Sequence, residues 1–138
     1  MGFSTEVQSA FYDLLTNDAG LSALVVGVYD AVPQAIDSGS ADAFPFVTVG
    51  EDILTANDTD NINMMNCSIT IHSWSRYKGR KEVKEIQDQI YSILQKKDFI
   101  QNGFKFVNIE FSSATSFLDS DGETRHGVQE FILIIQEL

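Results

Sequence analysis

The chain contains one cysteine, Cys67, among its 138 residues. A lone thiol closes no intrachain disulfide and does not by itself make a zinc site, so a disulfide-stapled secreted framework is excluded and a reducing compartment is expected. Positive charge is also scarce: no Lys or Arg occurs before position 76, while that stretch holds ten of the 20 acidic residues. The resulting net charge of −11 repels phosphate backbones and anionic lipid, which disfavours tight nucleic-acid or membrane binding by one subunit. Met1-Gly2-Phe3-Ser4-Thr5-Glu6-Val7-Gln8 lacks the positive flank and apolar run of a secretory signal. The longest apolar runs, Leu24-Val25-Val26 and Phe131-Ile132-Leu133-Ile134-Ile135, fall far short of the ~20 residues that span a bilayer. A soluble intracellular chain with no membrane partner is the expectation.

Chemical motifs are missing as well. There is no phosphate-binding glycine loop, nucleophile elbow or zinc-protease helix pattern. His72 and His126 are the only histidines, and Cys67 and His72, five apart on a strand, point to opposite faces. Asp58-x-Asp60-Asn61 and Asp119-x-Asp121-Gly122 resemble calcium ligands, but the following positions, Ile62 and Thr124, break the loop pattern; both read as turns. The carboxylates are spread along the chain with no pair set apart for acid and base roles. No catalytic residue, metal site or cofactor is expected, and the chain reads as a non-enzyme.

What is present describes one α+β domain over residues 1–138. Hydrophobic residues make up 43% and charged ones 21%, a globular balance, and a chain of this length buries about 68% of its unfolded surface. Thr5-x-x-Gln8 forms a capping-box pattern, so a helix is expected over 4–16 with Ser4 or Thr5 as N-cap, Phe3 as staple and Val7, Phe11, Leu14 and Leu15 on one face. Asn17-Asp18 should end it and cap a short turn, Leu21 to Val25, before an extended piece from Val28 to Val32. Val83, Ile86, Ile90, Ile93 and Leu94 recur at three and four, predicting a helix over 80–97. Alternation and β-branching predict strands near 45–52, 66–75, 104–116 and 127–137, the last two joined by a hairpin at Asp121-Gly122. The expected architecture is an antiparallel four-stranded sheet with the two main helices on one face. Segments 35–43 and 55–65, rich in small and polar residues, read as mobile loops.

The two long C-terminal strands carry apolar residues on both faces. Val107, Ile109 and Phe111 are placed opposite Phe131, Leu133 and Ile135, leaving Phe104, Phe106, Ile132 and Ile134 on the other side. A sheet with one solvated face would alternate cleanly, so a second covering layer is needed, and another copy of the chain is one candidate. Five bases, Arg76, Lys78, Arg80, Lys81 and Lys84, lie within nine residues. They suit either a phosphate at the helix start or the acids of a neighbouring subunit, and the acidity elsewhere favours the neighbour.

The order Val28-Tyr29-Asp30-Ala31-Val32-Pro33-Gln34, Phe44-Pro45-Phe46-Val47-Thr48-Val49-Gly50-Glu51, His72-Ser73-Trp74-Ser75-Arg76 with Gly79-Arg80, and Leu118-Asp119-x-Asp121-Gly122-x-Thr124-Arg125-His126-Gly127-Val128-x-x-Phe131 resembles the tail-completion proteins of long-tailed phages and gene transfer agents. The resemblance runs through nearly the whole chain, with a longer 35–43 loop and an Asn-rich 56–66 segment as departures. It implies a tail terminator: an α+β subunit forming a homo-oligomeric ring, usually a hexamer, at the head-proximal end of a virion tail after assembly in the host cytoplasm. Such a ring binds the tail tube protein, stops tube growth and accepts the head connector protein. DNA passes through its lumen without specific binding, and a negative wall suits that passage. A head-side connector or adaptor, or a small ligand-binding α+β domain, is the alternative. On this reading Trp74, Arg76, Lys78, Arg80, Phe104, Phe106, Ile132 and Ile134 are the subunit-interface candidates. Asn57, Asp58, Thr59, Asp60, Asn61, Asp119, Asp121 and Gly122, on loops carried beyond the ring body by long strands, are the candidates for tube or connector contact.

Overall fold

The computed structural model describes residues 2–31, 43–57 and 61–138. Asp58, Thr59, Asp60 and all but Ala43 of the expected 35–43 loop lie outside them. In chain order the elements are α1 (Phe3–Thr16), α2 (Ala19–Ser22), β1 (Gly27–Tyr29), β2 (Phe46–Ala56), β3 (Met64–Ser75), α3 (Lys81–Leu94), β4 (Phe99–Gln101), β5 (Phe104–Leu118) and β6 (Arg125–Glu137). The sheet has six strands in the order β1-β2-β3-β6-β5-β4, not four, and β1 runs parallel to β2 while the remaining pairs are antiparallel. The two extra strands are three residues each, too short to carry a periodic signal of their own. For β4 a turn signal did exist: Asn102 and Gly103 both take positive φ (52° and 84°), as the two-residue hairpin to β5 requires.

Packing moves the helix ends. No side chain caps α1, which starts one residue earlier than expected on Gly2, because Phe3 sits edge-on to Phe104 with ring centroids 4.9 Å apart and anchors the first turn. Asp18 does cap α2, its carboxylate accepting from the Leu21 N–H at 2.8 Å. Helix α3 stops at Leu94 rather than near Lys97. There Lys96 turns to φ 59° and donates its N–H to the Ile109 carbonyl at 2.6 Å, tying the connection to β5. The loop expected over 55–65 is shorter, since Thr55 and Ala56 pair with Asn66 and Met65.

One face of the sheet forms the core. Val47, Val49, Ile69, Ile71, Phe131 and Ile135 meet Phe11, Leu15, Ile86, Ile90 and Leu94 from the helices, each at most 1% exposed. Phe104 and Phe106 belong to this core, at 2% and 0% exposure, which corrects their assignment as interface candidates. The cause is a β-bulge. Val107 pairs with Ile134 and Glu110 with Ile132, so two residues of β5, Asn108 and Ile109, oppose Leu133 alone. Asn108 absorbs the kink at φ 46°, Ile109 turns inward, and Val107 faces outward with Ile132 and Ile134 instead of sharing a face with Ile109.

Candidate assembly surface

No helix among the described residues covers the other sheet face, and its residues can be followed row by row across the strands. At one end Ile53, Ser68, Ile132 and Glu110 are successive partners, flanked by Thr55, Asn66, Ile134 and Val107. They line a concavity of about 550 Å³. Ile53, Ile132 and Ile134 are 64%, 43% and 36% exposed, and their grouping across three strands makes an apolar surface. Glu110 brings the carboxylate on its rim, too little for a convergent polar site.

At the other end the row is aromatic. Phe46, Trp74, His126 and Phe117 are partners across β2, β3, β6 and β5. Trp74 stacks on Phe46 at 5.7 Å and on His126 at 3.8 Å, and Phe117 lies 4.9 Å from His126. The buried Trp74 indole N–H finds no acceptor among the described residues. Arg76 continues the stack, its guanidinium 4.3 Å from the Phe44 ring centre.

Beside this row the two histidines meet. His72 Nδ1 and His126 Nε2 are 2.7 Å apart, and His72 Nε2 lies 2.6 Å from Glu51 Oε1. With Glu51 accepting, His72 donates through Nε2 and its Nδ1 accepts from His126, so the chain of bonds is complete with both rings neutral. Burial, then the nearby His72, holds the His126 pKa below its usual value; the bond to His72 lowers that of Glu51. Cys67, by contrast, is a core residue on the helix side, its thiol pushed up to about 12 by burial and then by Asp52. The His72–His126 contact was hidden in the sequence, where 54 residues separate the rings. Only the β3–β6 register joins them.

The contact candidates at the hairpin tip form a compact turn. Asp121 accepts from Thr124 Oγ1 at 2.6 Å and from the N–H groups of Thr124 and Glu123, which draws its pKa down to about 2. Gly122 takes φ 71° and returns its N–H to the Asp119 carbonyl. Thr124 Oγ1 also accepts from Arg76 Nε at 3.3 Å, so the tip and the basic stretch are neighbours. Arg125 donates to the Lys78 carbonyl, and Arg80 and Lys84 line a groove against β5. Asn57 and Asn61 sit at the far end of the sheet, Asn57 bonded to Asn66 at 3.2 Å. The structure therefore divides the described loop candidates between opposite ends of the strands.

Fold and surface define a class: an α+β subunit whose sheet is helix-covered on one side and offers contact surface on the other. A family model described as tail completion protein gp17 matches residues 9–136. A relative of that description, from Bacillus phage SPP1, is 29% identical over 100 residues, spanning 72% of this chain and 74% of its own. Among solved structures, a chain of the virion of a native gene transfer agent particle superposes with a TM-score of 0.84 at 21% identity, covering 98% of this chain and 99% of that one. The structure of bacteriophage SPP1 gp17 gives a TM-score of 0.62 at 25% identity, covering 94% and 88%. The chain belongs to the tail completion protein gp17 family, and is a structural virion component of the tail rather than an enzyme.

Proposed function

We propose that the protein completes the tail by closing into a ring, six copies in the arrangement its family resemblance implies, on the head-proximal end of the tail tube. There it stops tube elongation and joins the tail to the head connector. The observation that carries this reading is the pair of separate uncovered surfaces on one small subunit. Ile132 and Ile134, expected at the subunit interface, line an apolar concavity with Ile53 and Val107 that suits an adjoining tail component instead, and the basic stretch of Arg76, Lys78 and Arg80 suits the acids of a neighbouring copy. A capping ring needs such a division, because the contact that closes the ring must be separate from the one that holds the tube. Asn57 and Asn61 at one end of the long strands and the 119–122 turn at the other reach partners stacked on either side. Each makes a modest polar contact that ring symmetry multiplies into a stable joint. The excess negative charge lets DNA slide through the lumen without sticking.

The test is assembly without the protein. Tails of uncontrolled length that fail to join heads are expected, with both defects prevented when the purified protein is present from the start of assembly. Normal tail length and normal joining in its absence would overturn the reading. A chain with residues 58–61 cut to a two-residue turn should still fold but lose binding to isolated tube ends.

A further inference from the structure

The sheet ends in two bare stretches that match each other. β4 covers β5 only from Phe104 to Phe106, and residues 95–98 cover it from Asn108 to Phe111 through Lys96, Lys97, Asp98 and Gln95. From Ser112 to Leu118 no strand of the described residues lies beyond β5. The stretch reads Ser-Ser-Ala-Thr-Ser-Phe-Leu, with no charge and no proline, and all of it is exposed except the half-buried Ser116. Proteins that keep a sheet edge to themselves protect it with lysines, proline, a bulge or a covering group; from Ser113 onward this one has only the Gln87 amide, which donates to the Thr115 carbonyl. The other bare stretch is on β2, where β1 stops at Thr48 and Gly50 to Ala56 run on without an outer partner among the described residues.

The flanking charges are opposite. Along the β5 edge a groove of about 480 Å³ under α3 holds Arg80 and Lys84 against a single carboxylate, Asp88. Along the β2 edge a groove of about 640 Å³ under α1 holds Asp30 and Asp52 and no base. Both lie on the helix-covered side, so two sheets joined edge to edge would bring the basic groove to the acidic one. Direction also agrees: β2–β3, β3–β6 and β6–β5 are all antiparallel, so β5 runs opposite to β2 and a new β5–β2 contact continues the alternation.

Resting on the ring reading above, we propose that the partner of the β5 edge is the β2 edge of a second copy. Residues 112–118 of one subunit pair antiparallel with 50–56 of the next, and Arg80 and Lys84 face Asp30 and Asp52 across the joint. The contact uses different patches on the two copies, so it closes into a ring or grows into a helix. The centre of the β2 stretch, Ile53, maps through Ser68 and Ile132 to Glu110, five residues before Thr115 at the centre of the β5 stretch. Ser112 is bulged out of register, so this is four steps along β6, from Ile132 to Val128, and each joint staggers the strands by roughly 14 Å, which a ring absorbs by tilting them to its axis. The uncovered sheet face stays free for a different tail component.

The test is sedimentation velocity of the full chain, alone and with tube ends, over a concentration series. Thr115 gives its carbonyl to Gln87 Nε2 at 2.9 Å instead of to a strand, so Ser113, two residues earlier, turns its N–H to the same open side. Ser113→Pro removes that N–H while leaving the β6 ladder intact. It should raise the half-assembly concentration at least about tenfold. Arg80→Glu with Lys84→Glu should do the same without touching the backbone, and adding Asp30→Lys with Asp52→Lys should restore assembly. Rings of wild-type stability from both the proline and the charge-reversed chains would overturn the edge pairing while leaving the ring reading intact. A wild-type chain that stays monomeric with tube ends present would overturn both.

Discussion

Replacing Phe106 by alanine tests the parity of β5, on which the division between core and contact surface depends. Phe106 is fully buried and lies flat on Phe99, ring centroids 4.6 Å apart and planes 5° from parallel. Truncating a buried Phe costs about 3–5 kcal/mol, from lost transfer energy and the cavity left behind. Unfolding a chain of 138 residues releases roughly 0.29 kcal/mol/K, so the loss corresponds to a fall in Tm of about 10–17 °C. Ile134, on the opposite face and 36% exposed, is the control. Ile134→Thr keeps the β-branched shape that suits a strand and costs about 1 kcal/mol or less. Thermal unfolding followed by circular dichroism, with urea unfolding as a second measure, reads both variants; binding to tail tubes is then measured on the folded ones. The reasoning fails if Phe106→Ala stays within about 3 °C of wild type, or if Ile134→Thr unfolds as easily as it does.

Stability should fall on acidification below about 6.5, the ordinary histidine range, because the lowered His126 pKa makes folding favour the neutral ring; that contribution is whole above this range and lost as pH drops. Urea midpoints across pH 5 to 8 measure it, with His126→Phe flattening the slope. Glu51 adds a second loss below its ordinary value of 4.5, since its folded pKa is depressed and its carboxylate must be protonated for the chain to unfold there. Asp18→Ala removes the cap of α2 and the bond from Gln89 Nε2, and should cost about 0.5–2 kcal/mol in urea unfolding. Asp121→Ala frees the tip of the β5–β6 hairpin, and faster amide exchange at Glu123 and Thr124 than in wild type is the expected sign.

The elements readable from the residues alone are those whose cause is local. The recurrence of Val83, Ile86 and Ile90 makes α3 a helix whatever it packs on, the Asp121-Gly122 turn joins two alternating runs into the β5–β6 hairpin, and Asp18 caps the turn that follows it. The concentration of bases between Arg76 and Lys84 was equally plain, as was the order of motifs that resembles the tail-completion family. Which face each side chain takes was not local. A strand reverses its faces with every inserted residue, and the extra residue at Asn108 and Ile109 sent Phe104 and Phe106 inward and Val107 outward with no mark in the pattern of apolar residues. The Glu51–His72–His126 chain and the opposed bare edges of β2 and β5 likewise exist only once strands distant in sequence are set side by side. Local propensity settles what each segment becomes, but register between segments is a property of the assembled sheet, and the surfaces of this protein are built from register.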